Sequence, residues 1–230
     1  MSQSSSTNPL LTQYRDVYFS VDVETDGPIT GKNSMLNLGA VAFTSDTRTR
    51  LGGFDENLAA FEGSEQDGDT MKNFWLKPEQ EQAWKVITKN PRDASEVMVL
   101  FRNWIEDMMK KARTGAEPEV ELRPVMVAWP SAFDSAFVKW YMLTYPSGSL
   151  NESPHEPFWF NCIDITSFAS ARLGLPYSMC TNDEGGALKK YWPTEAEISS
   201  FDAGSMVHTG IVDALIQIKA FFNICDAKPS

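Results

Sequence analysis

Acidic residues directly follow an apolar run near the start of the chain, in the sequence YFSVDVETDGP (residues 18–28). Asp22 and Glu24 are two positions apart, so on a β-strand both side chains project from the same face, roughly 6 to 7 Å from each other. Two carboxylates this close repel each other unless a cation neutralises them, and such oxygen ligands suit Mg²⁺ or Mn²⁺. Taken alone, the pattern fits a metal site and a solvated strand end equally well.

A further acid lies in a predicted helix, SAFDSAFVKWYMLTY (residues 131–145), where Asp134 is surrounded by apolar side chains. Taken alone, such an acid is more often structural than functional. One of the two histidines of the chain, His208, comes five residues before Asp213. On one regular helix this separation places the two side chains about 140° apart. They converge only if His208 lies in the loop before the helix and Asp213 in its first turns.

The elements that must position these residues follow from hydrophobic periodicity. Alternation over residues 16–24 predicts a strand, and two more close strands predict an antiparallel meander. The short apolar run over residues 123–129 is typical of a buried parallel strand. Strands first, then helix and strand in alternation, predict an α/β domain with a mixed sheet flanked by helices. The further predicted strands are residues 36–44, 49–58 and 123–129. Within residues 162–175 a short strand is predicted to continue as a helix. The predicted helices are residues 78–88, 93–112, 131–145, 185–192 and 210–224.

Composition limits the class of protein. The chain has 230 residues, of which 42% are hydrophobic and 12% aromatic, enough for one globular domain over residues 14–230. Residues 1–13 are polar and predicted to be a disordered lead. We expect no membrane span and no signal peptide. The three cysteines, Cys162, Cys180 and Cys225, are predicted to be reduced thiols of a cytoplasmic protein. A net charge of -11 argues against binding nucleic acid through a broad basic surface.

In this order, the three acidic segments resemble the motifs of the DEDDh 3'-5' exonuclease superfamily, which includes ribonuclease T, oligoribonuclease and polymerase proofreading subunits. The resemblance extends over residues 16–224, and Gly210 and Val212 depart from the usual third motif, where many members carry Ala and Asp. The segments DGPITGKNSMLNLGAVAF and FWL look like a bacterial and phage branch of small, free-standing members. The matching residues are Asp22, Glu24 and Thr25 in the first motif, Phe133 and Asp134 in the second, and His208, Asp213 and Ala214 in the third.

The resemblance implies a ribonuclease H-like fold and a two-metal mechanism. Two Mg²⁺ or Mn²⁺ ions would be held by carboxylates, with His208 as the general base that takes the proton of the attacking water. The metal ligands would be Asp22, Glu24, Asp134 and Asp213. Nucleoside 5'-monophosphates would leave from the 3' end of single-stranded or short RNA or DNA. The small free-standing members commonly pair, which implies a homodimer.

Substrate bases need a surface to stack on. The predicted substrate-binding residues are Thr25, Met35, Leu36, Phe74 and Trp75, and core packing is the alternative reading of the apolar ones. Two other acids are interpreted as structural: Asp26 as a turn residue before Gly27 and Pro28, and Asp164 as a helix cap.

Two other functions remain open from the sequence. A metal-dependent phosphatase would also place acids after a first strand. Such folds, however, generally carry Asp where this chain has Glu24, and they do not require a histidine such as His208 near Asp213. A catalytically weak module that binds nucleic-acid ends or a protein through the same fold is the second alternative. The choice between RNA and DNA stays open.

Overall fold

A five-stranded mixed sheet, with strand order β3-β2-β1-β4-β5, lies at the centre of the fold. In the computed structural model, residues 14–145, 157–158, 161–181, 186–200 and 208–228 are described, and the predicted lead over residues 1–13 lies outside them. β1 pairs with β2, and β2 with β3, in antiparallel fashion, whereas β1–β4 and β4–β5 are parallel. The predicted mixed sheet is confirmed. The strands are β1 (Tyr14–Thr25), β2 (Met35–Thr44), β3 (Arg50–Asn57), β4 (Glu121–Ala128) and β5 (Cys162–Asp164).

Helices flank this sheet. The long predicted helices are confirmed, but the helix predicted over residues 185–192 is only a 3₁₀ turn, Lys189–Tyr191. Three helical segments were not predicted: a single turn that continues as the π-helical segment Met71–Trp75, the 3₁₀ turn Tyr177–Met179, and a short helix that begins with a capping box formed by Thr194 and Glu197. The α-helices are α1 (Gly68–Thr70), α2 (Glu81–Ile87), α3 (Ala94–Thr114), α4 (Ser131–Thr144), α5 (Ile165–Leu173), α6 (Glu195–Ser199) and α7 (Gly210–Asp226).

Helix ends are fixed by local hydrogen bonds, as the sequence predicts. Asp93 precedes α3 and its side chain accepts a hydrogen bond from the backbone N–H of Ser95 at 2.8 Å. Asp164 caps α5 by accepting from the backbone N–H of Ser167 at 2.8 Å. Gly174 ends α5 in the left-handed conformation, with φ at 68°, which glycine adopts without steric cost. Asp164 is therefore a helix cap.

The two faces of the sheet bury different helices. On β1, the alternate residues Val17, Phe19, Val21 and Val23 are buried in the core that α3 and α4 share with the sheet. The opposite face packs against α5 and α7. Because neighbouring residues of a strand point to opposite faces, the even-numbered side chains at the end of β1 lie on the side of α7.

None of the helices in the described part of the chain is long and apolar enough to cross a membrane.

Candidate active site

Asp22 and Glu24 lie at the carboxyl end of β1, on the face that α7 covers. Glu24 is buried, with 8% of its surface exposed. Asp22 accepts a hydrogen bond from the side-chain amide Nε2 of Gln217 at 2.6 Å. Gln217 was not among the predicted site residues, although it comes one helical turn after Asp213 and therefore lies on the same side of α7.

Asp134 reaches this end of β1 through the parallel pairing of β1 with β4. Parallel strands end at the same edge of a sheet, so the turn after β4 brings the start of α4 beside the end of β1. The carboxylate oxygen Oδ1 of Asp134 accepts a hydrogen bond from the backbone N–H of Val23 at 3.1 Å. With 3% of its surface exposed, Asp134 is a buried site residue and not a solvated acid of the helix surface.

His208 lies before α7 and Asp213 in its first turn, which is the arrangement that the sequence requires for the two to converge. The backbone N–H of His208 donates to Oδ2 of Asp213 at 2.7 Å, and the imidazole Nδ1 lies 4.0 Å from the same oxygen. The ring of Phe74 meets the imidazole edge-on, with ring centres 5.0 Å apart. His208 has a positive φ of 60°, an uncommon conformation for this residue, which the hydrogen bond to Asp213 supports.

Two glycines allow α7 to approach the sheet at backbone distance. A Cβ atom on Gly39 of β2 would lie 1.8 Å from the carbonyl carbon of Gly210, and one on Gly210 would lie 2.5 Å from the nitrogen of Gly39. The backbone N–H of Gly210 donates to Oδ1 of Asn37 at 2.8 Å. This close contact positions Asp213 near the carboxylates of β1.

The clustered carboxyl groups are electrostatically strained in the absence of cations. Burial and the neighbouring acids raise the pKa of both Asp22 and Glu24 well above the usual range. Burial raises the pKa of Asp134 to about 8 and that of Asp213 to about 7. Burial also lowers the pKa of the His208 imidazole. The imidazole is therefore favoured in its neutral form, and the carboxylates need a positive partner to ionise together at neutral pH.

The donor atoms fit divalent cations. Single ligand atoms of Glu24, His208 and Asp213 lie within 4.8 Å of one another. Besides burial, the charges of Asp213 and Asp134 raise the pKa of Glu24, and Asp22 has its pKa raised by burial and by the same two acids. An oxygen-rich donor set of this kind matches Mg²⁺ or Mn²⁺.

The predicted substrate-binding residues have little exposed surface. Met35 is 0% exposed, Trp75 2%, and Thr25 and Leu36 each 6%. The indole Nε1 of Trp75 donates to the backbone carbonyl of Thr25 at 2.8 Å, as a structural residue would. Phe74 is half-buried against the imidazole of His208. Of this set, Phe74 retains the most accessible surface.

Asp26 has the structural role that the sequence predicts. Its carboxylate accepts a hydrogen bond from the backbone N–H of Ser34 at 2.6 Å, and its own backbone N–H donates to the carbonyl of Ser34 at 3.1 Å. These bonds close the loop between β1 and β2, so Asp26 holds the turn and does not join the carboxylate cluster.

A cleft of ≈ 340 Å³ opens beside the carboxylates. Four of its side chains were not predicted as site residues: Trp129, Trp192, Ile216 and Gln217. The lining residues are Asp22, Trp129, Trp192, His208, Asp213, Ile216 and Gln217.

Comparison with known proteins identifies relatives among nucleases. No family model matches the chain. Over 164 residues the chain is 27% identical to the 3'-5' DNA exonuclease Cap18 of Escherichia coli, in an alignment that covers 66% of this chain and 67% of that protein. The structure superposes on the nuclease domain of 3'hExo, a DEDDh family member bound to rAMP, with a TM-score of 0.57, 13% identity, and coverage of 91% of this chain and 90% of that one.

A second solved structure, E. coli exonuclease I in complex with a dT13 oligonucleotide, superposes with a TM-score of 0.53 and 11% identity, covering 94% of this chain and 42% of that one. At these identities the structural likenesses show the fold. The mixed sheet with carboxylates at the end of β1, and the histidine before α7, match the ribonuclease H-like architecture of these exonucleases. Together with the sequence similarity to a 3'-5' DNA exonuclease, these features resemble those of the DEDDh 3'-5' exonucleases.

Proposed function

We propose that this chain removes nucleoside 5'-monophosphates from the 3' end of single-stranded or short nucleic acid in a metal-dependent reaction. The observation that carries the proposal is the convergence of four carboxylates and one imidazole from three separate elements. Asp22 and Glu24 come from β1, Asp134 from α4, and His208 and Asp213 from the start of α7.

The four carboxylates would hold two divalent cations, Mg²⁺ or Mn²⁺. When bound, the cations supply Lewis-acid stabilisation of the phosphate and lower the pKa of the attacking water. The raised pKa values of the carboxyl groups support this assignment, because they indicate negative charge that the protein alone does not compensate. Gln217 holds one oxygen of Asp22 and thereby orients this carboxylate.

His208 would act as the general base. Burial lowers the pKa of its imidazole, so the ring is neutral at physiological pH and able to accept a proton from water. The backbone bond to Asp213 and the edge contact with Phe74 hold the ring over the carboxylates. The proton would pass from the water to an imidazole nitrogen as the water oxygen attacks the phosphorus. The bond from phosphorus to the 3'-oxygen of the preceding nucleotide would break, and that oxygen would take up a proton from solvent.

The substrate enters by its 3' end. With a net charge of -11, the chain does not favour long duplexes tracked along a basic groove, whereas a strand end needs positive charge only at the metal site. Cap18 is named a DNA exonuclease, whereas 3'hExo was solved with rAMP, so both RNA and DNA are candidate substrates. Residues 14–230 would form one exonuclease domain, and the free thiols of Cys162, Cys180 and Cys225 fit a cytoplasmic protein.

A 5'-labelled single strand tests the proposal. With Mg²⁺ or Mn²⁺ we expect a ladder of products shortened one nucleotide at a time, and nucleoside 5'-monophosphate in solution. Asp22→Asn keeps the shape and the hydrogen bond from Gln217 but removes a negative ligand, so it should abolish the ladder; Asp107→Asn, at an exposed acid of α3, is the matched control. Release of inorganic phosphate instead would indicate a phosphatase, and no product would indicate a binding module. Matched RNA and DNA strands decide the sugar preference.

A further inference from the structure

The cleft beside Asp22 contains an aromatic corner, which we define as Trp129, Trp192, Ile216 and Gln217. We propose that this aromatic corner binds a nucleobase flanking the scissile phosphate and contributes to base preference. The proposal rests on the exonuclease function above. Asp22 and His208 line the same cleft, so a base held there lies next to the reacting phosphate.

Trp192 supplies the stacking surface. It is 38% exposed, while Trp129 beneath it is only 7% exposed. The two indoles meet at 70° with ring centres 5.4 Å apart, so Trp129 holds the ring of Trp192 at the wall of the cleft. An exposed, laterally supported indole is well suited to stack on a base, a contact whose removal typically lowers affinity about ten- to a hundredfold.

Two buried polar atoms of the aromatic corner have no hydrogen-bond partner within the described ranges: the indole Nε1 of Trp129 and the amide Oε1 of Gln217. Gln217 is 5% exposed, and its amide orientation is fixed because Nε2 is bonded to Asp22. Buried polar groups of this kind normally have partners, because leaving them unpaired is costly. One atom is a donor and the other an acceptor, the two kinds of group that a base edge presents together.

The predicted substrate-binding residues offer less surface for a base to contact. Met35 and Trp75 are almost fully buried, and the indole N–H of Trp75 already donates to the carbonyl of Thr25. The aromatic corner therefore combines an exposed ring with polar atoms that lack a partner, whereas Phe74, the predicted stacking residue with the most accessible surface, has no polar side-chain atom.

Strands that lack one base test the proposal. We compare an intact single strand with strands that are abasic at the last or at the next-to-last nucleotide, and measure kcat and KM for the wild type and for Trp192→Ala. Wild-type KM should rise about ten- to a hundredfold when the base that occupies the corner is removed. Trp192→Ala should show that same rise with the intact strand and no further rise with the abasic one. The abasic position that raises KM in the wild type but not in Trp192→Ala shows which flanking base stacks on Trp192.

Three controls separate the possible causes. Tyr177→Ala removes an exposed aromatic that does not line the cleft and should behave as wild type. Trp129→Phe keeps an aromatic ring but removes the N–H, so it should reduce the preference among the four terminal bases while still cleaving. Fluorescence anisotropy in a His208→Ala background should show the loss of affinity in Trp192→Ala without turnover.

If the wild type cleaves and Trp192→Ala retains the full response to both abasic positions, the inference is wrong and the proposed function stands. An unchanged dissociation constant in Trp192→Ala would overturn the inference in the same way. A wild type that does not shorten any strand would contradict the proposed function itself.

Discussion

Asp134 shows most clearly how one residue connects stability with function. It is almost fully buried and accepts a backbone hydrogen bond from Val23, yet burial raises the pKa of its carboxyl to about 8. Asp213, in the same cluster, has a pKa raised by burial to about 7. A group whose pKa is higher in the folded than in the unfolded chain favours folding when it is protonated. The metal-free site is therefore stabilised by protons at low pH and destabilised by its own charge at high pH.

Removing one of these charges should change how stability depends on pH. In EDTA, the stabilising contribution of protonated Asp134 is complete below the ordinary pKa of 3.8 and lost as the pH rises through about 8. We expect Asp134→Asn to match the wild type near pH 3, below the ordinary pKa, and to exceed it in free energy of unfolding by about 1 kcal/mol or more near pH 9. Thermal melts over this pH range measure the difference.

Saturating Mg²⁺ provides the control for that series. Ions that bind only the folded protein raise its melting temperature by mass action, so the wild type should recover its stability at high pH while Asp134→Asn gains less. Identical pH profiles of the two proteins in EDTA would contradict the strained carboxylate cluster.

His208 should contribute to the rate and not to metal binding. His208→Ala leaves the four carboxylates in place, so metal-induced thermal stabilisation should persist, while cleavage slows by about 10² to 10⁴, the usual contribution of a positioned base. In the wild type, the rate should rise with pH through the lowered pKa of the imidazole. If metal stabilisation is lost together with activity, His208 is a ligand, as its distance to Glu24 and Asp213 also allows.

At the scale of elements, the site depends on the start of α7 lying directly on β2. Gly39 and Gly210 meet backbone to backbone, and Asn37 connects this contact to β3 because its Nδ2 donates to Oδ1 of Asp55 at 2.9 Å and of Asn57 at 2.8 Å. A glycine within the first turn of a helix is ordinarily unfavourable compared with alanine. Here the absence of a side chain is what allows α7 to reach its position.

Gly210→Ala is therefore expected to destabilise the protein, although it restores the residue that is usual in the third motif. The added methyl would meet the nitrogen of Gly39 at 2.5 Å and Oδ1 of Asn37 at 2.6 Å. Overpacking of this kind costs about 1 to 3 kcal/mol in free energy of unfolding. Gly68→Ala, at a position with no atom within 4 Å, is the matched control and should be neutral or stabilising. Urea denaturation compares the two, and equal stability would contradict the close contact.

Periodicity and motifs predict the elements that hold the carboxylates, because these elements are long and bury one face. Asp164 was also correctly interpreted as a helix cap, since capping depends on local chemistry. The short helices before α2 and before α7 were not predicted, because they contain too few residues for a periodic pattern. Trp192 was missed for a different reason: its proximity to Trp129 is a tertiary contact between segments far apart in sequence.

At the scale of the whole molecule, the negative net charge and the exposed apolar side chains influence which molecules the chain can bind. Negative charge is spread over the sequence, with a net charge of -11, so under the proposed function nucleic acid would be attracted only where cations are bound. Several large apolar side chains are exposed in the structure. They include Leu76 at 68%, Tyr177 at 56% and Met179 at 48%.

We expect the protein to be a homodimer in solution. The exposed apolar side chains are of the kind that subunit interfaces cover, and the small free-standing proteins that the sequence resembles commonly pair. Multi-angle light scattering at micromolar concentration should give twice the chain mass of 25.7 kDa. A mass near 25.7 kDa would contradict the dimer.

The contact between Gly39 and Gly210 fixes the distance between β2 and the start of α7 through the main chain. Neither glycine has a side chain that could change rotamer and absorb a small displacement of Asp213. Any substitution that shifts α7 outward therefore shifts a carboxylate by a similar amount. We infer that the affinity for divalent cations depends on how closely α7 packs against the sheet. Variants along this helix should therefore rank in the same order by metal dissociation constant as by resistance to denaturant.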